Sequence, residues 1–75
     1  MSITPEKLKK LRKHLRMSQQ EAADTVLVPK RTLQNWETEK NKPNHRSMPE
    51  GMAELFCIKN KITYKIVDKK VLIEL

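Results

Sequence analysis

Glycine and cysteine are almost absent from this sequence, which has one of each among 75 residues. A single glycine excludes the glycine-rich loops that cradle phosphates in nucleotide-binding enzymes. The single cysteine, Cys57, excludes an intramolecular disulfide framework, and its apolar neighbours favour a small core residue over a reactive thiol. No apolar run is long enough to cross a membrane. The segment MSITPEKLKK lacks the apolar stretch of a secretory signal, so we expect a cytoplasmic protein.

Groupings of catalytic or metal-binding side chains are missing as well. His14 and His45 stand far apart in the sequence, with no partner at metal-ligand spacing. The sequence contains no Cys/His nucleophile arrangement and no carboxylate pair in a pocket context. We therefore expect no enzymatic activity, no cofactor, no bound metal and no small-molecule ligand. The length suits one domain with a small core.

Positive charge is abundant and unevenly placed. The formal net charge is +7. Residues 1–46 contain 11 Lys or Arg against 5 Asp or Glu, whereas residues 47–75 contain 5 against 4. A basic surface confined to one part of a chain predicts a polyanionic partner, with nucleic acid first and an acidic membrane surface second.

Two short helices are predicted at the start of the chain. Thr4 can cap a helix over about 5–16, in which leucines recur at helical spacing. Ser18 and Glu21 match the capping-box pattern that opens a second helix, over about 19–26. Two adjacent alanines in that second helix allow a neighbouring helix to cross closely, because nothing bulky separates the backbones.

A third helix is predicted to begin at Pro29, where no intrahelical amide donor is needed. Leu33 and Trp36 would point into the core. The opposite side of this helix is polar and consists of Lys30, Arg31, Gln34, Asn35 and Thr38. Two short helices at a tight angle, the later one polar on its outer side, describe a helix-turn-helix. In that motif the later helix enters the major groove, where arginine can recognise guanine and asparagine or glutamine can recognise adenine.

A fourth helix follows a polar loop. Ser47 and Glu50 suggest a second capping box at its start. Its apolar face would consist of Met48, Met52, Leu55, Phe56 and Cys57.

The C-terminal segment ITYKIVDKKVLIEL alternates as two strands joined by a turn at Asp68 and Lys69. Folding it there places six apolar side chains on one side, and this side is our candidate dimerisation element: Ile62, Tyr64, Ile66, Val71, Ile73 and Leu75. The hairpin should pack on the helices, on a second subunit or on both. The predicted fold is mainly α with a small C-terminal β-hairpin (α+β). Residues 1–60 form a four-helix helix-turn-helix domain, and residues 61–75 form the hairpin.

The segment from Met17 to Pro43 resembles the helix-turn-helix of the Cro and CI phage repressors, the XRE family. The matching features are SQQEAA, Val28, TL at 32–33, WE at 36–37 and Pro43. The resemblance implies a regulator of transcription that binds double-stranded DNA, usually a repressor and usually a dimer. RTLQNWE followed by MPEGMAELF also looks like small regulators of phage and plasmid operons, including anti-CRISPR-associated repressors.

The resemblance also implies roles for individual residues. The DNA bases would be contacted by Lys30, Arg31 and Asn35, with Gln34 at the groove edge. The phosphates would be contacted by Gln19, Thr38, Lys40, Asn41 and Lys42. Arg12 and Glu37 would form a partly buried structural ion pair.

Two positions depart from the family pattern. Leu27 stands where the family usually has a turn glycine, and a left-handed backbone is costly for leucine. A longer second helix or a different turn would avoid that conformation. Glu39 stands where the family usually has a second glycine, and its charge would be mildly repulsive near phosphates unless it turns away or pairs with Lys40 or Lys42.

These observations favour a repressor that binds an inverted-repeat operator as a homodimer. The alternative is a protein-interaction module, antitoxin-like or adaptor-like, that captures a partner through the C-terminal strands.

Overall fold

A computed structural model describes residues 3–74, with four helices followed by two strands. The elements are α1 (Pro5–His14), α2 (Gln19–Thr25), α3 (Lys30–Glu37), α4 (Glu50–Lys59), β1 (Tyr64–Val67) and β2 (Lys70–Ile73). The strands pair in antiparallel fashion as one two-stranded sheet. The structure therefore confirms the mainly α fold with a C-terminal hairpin.

The starts of α1 and α2 follow the predicted capping patterns. The Thr4 hydroxyl accepts a hydrogen bond from the Lys7 amide at 3.1 Å. At α2 the Ser18 hydroxyl accepts from the Glu21 amide at 3.1 Å, and the Glu21 carboxylate accepts from the Ser18 amide at 2.9 Å. The Ser18 backbone amide, and after it the Ser18 side chain, favour the charged carboxylate and hold the pKa of Glu21 below its ordinary value.

The predicted capping box of α4 was wrong. Pro49 is the residue that precedes α4, and no side chain in the described part of the chain caps the helix there. Glu50 is consequently the first residue of the helix and lies too near the cap to reach back to it. Its carboxylate instead accepts a hydrogen bond from the Val71 amide at 2.7 Å, while the Ser47 hydroxyl lies 3.5 Å from Nε2 of His45.

Two positions after the last residue of α1, α2 and α4 stands a residue with a left-handed backbone, although none of these residues is glycine. Arg16, Leu27 and Lys61 have φ angles of 57°, 58° and 56°. After each, the next amide bonds back five residues, as in a Schellman motif: Met17 to Arg12, Val28 to Ala23 and Ile62 to Cys57. The turn between α2 and α3 is thus a helix C-cap, and Leu27 adopts the costly left-handed conformation that a longer second helix or a different turn could have avoided.

The hairpin has the predicted register. Tyr64 pairs with Ile73, and Ile66 pairs with Val71. The turn residues Asp68 and Lys69 both have positive φ, which matches the right-handed twist of the strands. The predicted pair of Ile62 with Leu75 lies partly outside the described residues.

One hydrophobic core joins the helices and the hairpin. Leu8, Leu33, Phe56 and Val71 are at most 1% exposed. Cys57 is also buried, and this burial raises the pKa of its thiol. Among residues 3–74, the large apolar side chains that remain exposed are Leu27, Ile58, Ile66, Val67 and Leu72. In the part of the chain that the structure describes, no helix has the length and apolar character needed to cross a membrane.

Replacing Leu27 with glycine is expected to stabilise the protein. The leucine is 83% exposed, so its removal costs little apolar burial. Relief of left-handed strain is worth about 1–2 kcal/mol, and the greater freedom of glycine in the unfolded chain offsets about 0.5–1 kcal/mol of it. Urea denaturation of L27G should therefore show a higher midpoint. L27A is the control, because it removes the same contacts and keeps a Cβ. Equal midpoints for the two variants would contradict backbone strain as the cause.

Candidate nucleic-acid interface

The inner sides of α2 and α3 anchor the candidate recognition helix. Ala22 and Ala23 are fully buried, which permits the close approach of the two helices. Leu33 and Trp36 are also buried and hold α3 against the core. This packing leaves Lys30 and Arg31 exposed on the first turn of α3. Gln34, Asn35 and Thr38 follow on the same helix side and are partly buried.

The carboxylate of Glu37 connects three helices. Nε of Arg12 lies 2.6 Å from one of its oxygens, and Nη2 of Arg12 lies 3.1 Å from the other. The same guanidinium donates to the Met17 carbonyl at 3.0 Å. Gln19 adds a third donor to Glu37 at 3.1 Å. Since Glu37 is only 5% exposed, this is a charge-assisted network shielded from water.

Gln19 and Gln34 continue this network toward the outer side of α3. The Gln34 amide donates to the side-chain oxygen of Gln19 at 3.3 Å. The side-chain NH2 group of Gln19 has two protons, and it donates one of them to Glu37. The second proton can therefore point to a phosphate without breaking the bond to Glu37.

Thr38 has a hydrogen-bond partner in the free protein, whereas the side-chain oxygen of Asn35 has none within the described residues. The Thr38 hydroxyl donates to the Gln34 carbonyl at 2.7 Å. Oδ1 of Asn35 is buried and accepts no hydrogen bond within residues 3–74. For Asn35 to meet a base, its side chain must rotate, and that rotation breaks no hydrogen bond made by Oδ1.

The loop after α3 is tied back to the end of that helix. The Arg46 amide donates to the Asn35 carbonyl at 3.1 Å. His45 lies with Nδ1 at 2.8 Å from the Thr38 carbonyl, so Nδ1 carries the proton in this contact. These tethers position the exposed stretch of Lys40, Asn41 and Lys42 next to α3. The structural role of His45 was missed, because the sequence suggested an ordinary loop residue.

An open groove of about 340 Å³ brings several of the predicted residues together. Its lining consists of Lys9, Gln19, Gln34, Glu37, Thr38, Glu39 and Lys42. This surface thus combines three residues that are predicted to contact phosphates with Gln34, which is predicted to lie at the edge of the DNA groove. They come from two helices and a loop. Lys9, on α1, was not predicted to belong to it. Its charge alone does not distinguish it from the other lysines of that helix.

Comparison with family models agrees with this geometry. Residues 8–45, just over half of the chain, match the model described as helix-turn-helix. The chain belongs to the XRE-like helix-turn-helix family. It is accordingly a DNA-binding regulator, and its partner is double-stranded DNA. The searches of curated proteins and of solved structures gave no significant match.

Removing the Glu37 carboxylate is expected to destabilise this helix-turn-helix protein strongly. E37A leaves the guanidinium of Arg12, whose side chain is 12% exposed, without its counter-charge. Loss of one partner of a buried pair costs about 3–5 kcal/mol. The control is E74A, which breaks the exposed contact of Glu74 with Lys65 and should cost less than about 1 kcal/mol. Equal losses in the free energy of unfolding would show that burial does not govern the effect.

Proposed function

We propose that the protein is a transcriptional repressor that binds an inverted-repeat operator as a homodimer, with α3 in the major groove. The observation that carries this proposal is the two-sided character of α3. Its inner side is buried through Leu33, Trp36 and Glu37, whereas Lys30 and Arg31 project from its first turn. Repression would be steric, because a bound dimer covers promoter DNA.

Base reading is assigned to the outer side of α3. Arg31 can donate two hydrogen bonds to guanine O6 and N7, and Lys30 can donate to the same acceptors. Asn35 can recognise adenine after the rotation described above. Gln34 lies between these residues and Gln19, which suits the groove edge.

Phosphate binding is assigned to the residues around the groove and the following loop. Gln19 would donate its second amide proton, and Thr38 would exchange its bond to Gln34 for one to a phosphate. The exposed loop supplies Lys40, Asn41 and Lys42. Such contacts fix the register of the protein on the duplex and carry no sequence information of their own.

The hairpin would join the two copies through an edge rather than through its apolar face. Val71 and Ile73 are buried in their own chain, and Ile62 and Tyr64 pack against the same core, so these side chains are poor candidates for an interface. In a hairpin with a two-residue turn, the Ile66–Val71 pair directs its amide and carbonyl groups outward. On the β2 edge, the Val71 amide already donates a hydrogen bond to the carboxylate of Glu50 and is not available to a second copy.

The edge of β1 is therefore the one we assign to the second copy. Ile66 is 53% exposed at this edge. Antiparallel pairing of β1 with its symmetry mate would make a four-stranded sheet. A two-fold axis at Ile66 would set Ile66 against Ile66 and Lys65 against Val67, which avoids opposing two lysines.

Selection from a random duplex pool at near-physiological salt, with competitor DNA in excess, tests the function as a whole. Enrichment of an inverted repeat, with half-sites about one helical turn apart, is expected. A single enriched half-site would retain base reading and overturn the dimer. Binding without enrichment would overturn base reading. It would also favour the alternative of a protein-interaction module, which rests on the exposed Val67 and Leu72 of the hairpin.

Arg31 and Lys42 should respond differently to alanine substitution. R31A is expected to lose about 1–3 kcal/mol of binding free energy at one base pair and to relax the preference there. K42A should weaken all duplexes alike and make the affinity less dependent on salt. Titrations with the selected operator and its single-base variants distinguish the two effects. A uniform loss for R31A would contradict its assignment to a base.

A lysine at position 66 should prevent dimerisation. I66K places a charge at the proposed strand edge, where two copies would bring like charges together. I58K is the control, because Ile58 is similarly exposed, at 58%, but lies on α4. Sedimentation at equilibrium should give monomers for I66K and dimers for I58K. A dimeric I66K protein would remove the β1 edge from the interface.

A further inference from the structure

Lys9 and Glu39 lie at the junction of two surface grooves. The groove described above contains both residues together with Gln19 and Lys42. A second groove, of about 350 Å³, also contains both. It is lined by Pro5, Glu6, Lys9, Lys10, Lys13, Glu37 and Glu39. Lys9 comes from α1 and Glu39 from the loop after α3, so the fold brings together two charges that are 30 residues apart in sequence.

The two carboxylates of the first groove differ in availability. Glu37 is 5% exposed and already binds Arg12 and Gln19. Glu39 is exposed. The charges that a phosphate meets in this groove are consequently the positive charges of Lys9 and Lys42 and the negative charge of Glu39.

We propose that Lys9 binds a DNA phosphate and that the Glu39 carboxylate competes with this phosphate for Lys9 and Lys42. The proposal rests on the DNA-binding mode set out above. It extends the phosphate surface from α2 and the loop to α1. It also gives Glu39 a function at a position where glycine would leave the lysines unopposed.

An internal competitor weakens specific and non-specific binding by similar factors. Non-specific complexes are held almost entirely by phosphate contacts, so a carboxylate that opposes phosphates weakens them directly. A specific complex keeps its base contacts and therefore loses a smaller share of its binding free energy. Glu39 would shorten the time that the protein spends on every sequence, while the base contacts of the operator complex would keep that complex the more stable one.

The first test is E39Q, measured by titration of operator and unrelated duplexes between about 50 and 200 mM salt. Because the exposed carboxylate acts through water, its removal should raise affinity for both duplexes by about threefold to tenfold. The dependence on salt should become steeper, because Lys9 and Lys42 then neutralise phosphates fully and displace more counterions from the DNA. E74Q is the matched control, since it removes the same charge on the hairpin. Equal changes in E39Q and E74Q would overturn the competition.

The second test is K9Q, with K59Q as its control on α4. K9Q should reduce affinity for every duplex and lower the salt slope by about 0.9. K59Q should leave the slope unchanged. In the K9Q background, E39Q should raise affinity less than in the wild-type protein, because one of the two competed lysines is gone.

The outcomes separate this proposal from the function on which it rests. A wild-type protein that binds no duplex would overturn the proposed function. A wild-type protein that binds its operator, with K9Q and K59Q behaving alike, would overturn only the role of Lys9. Additive effects of K9Q and E39Q would overturn the competition and leave Lys9 as a simple phosphate ligand.

Discussion

The ion pair of Arg12 and Glu37 is the constraint on which the recognition helix depends. α3 has only eight residues, and none of the side chains that the structure describes caps its start. A helix of that length is not stable by itself in water. Glu37, its last residue, accepts hydrogen bonds from Arg12 of α1 and from Gln19, the first residue of α2. A buried pair contributes little net stability but is costly to break, so its main effect is to hold α3 at one angle to the other helices.

The scarcity of glycine has a visible cost at the helix ends. Arg16 and Lys61 take left-handed positions where a basic side chain is also favoured by the negative end of the helix dipole. Leu27 has no such compensation, and its side chain is exposed. The turn is held by the back-bond from Val28 to Ala23 and by the packing of Val28 on the core. Together these interactions outweigh the strain at one residue.

Patterns among residues a few positions apart predicted most of the fold. Contacts between residues far apart in the sequence could not be predicted in this way. Caps, helical spacing and the hairpin turn depend on residues a few positions apart, so Thr4, Ser18 and the Asp68–Lys69 turn could be interpreted directly. The prediction for Glu50 was wrong, because its local pattern indicated a helix cap, whereas its carboxylate accepts a hydrogen bond from the Val71 amide of β2. The same limit applies to Lys9, whose proximity to Glu39 depends on how α1 packs against the end of α3. The DNA contacts themselves stay predictions, since they depend on a partner as well as on the fold.

The hydrogen bonds within the protein also indicate how well each residue on the outer side of α3 could distinguish one base from another. Gln34 has a protein partner in Gln19, so it can keep that bond when the base opposite is wrong. An exposed arginine that enters the groove exchanges water for the base edge, and a wrong base leaves its donors unpaired. In the proposed complex, the cost of a mismatch would therefore be larger at Arg31 than at Gln34. In the proposed complex, sequence preference would therefore depend more on Arg31, on the first turn of α3, than on Gln34.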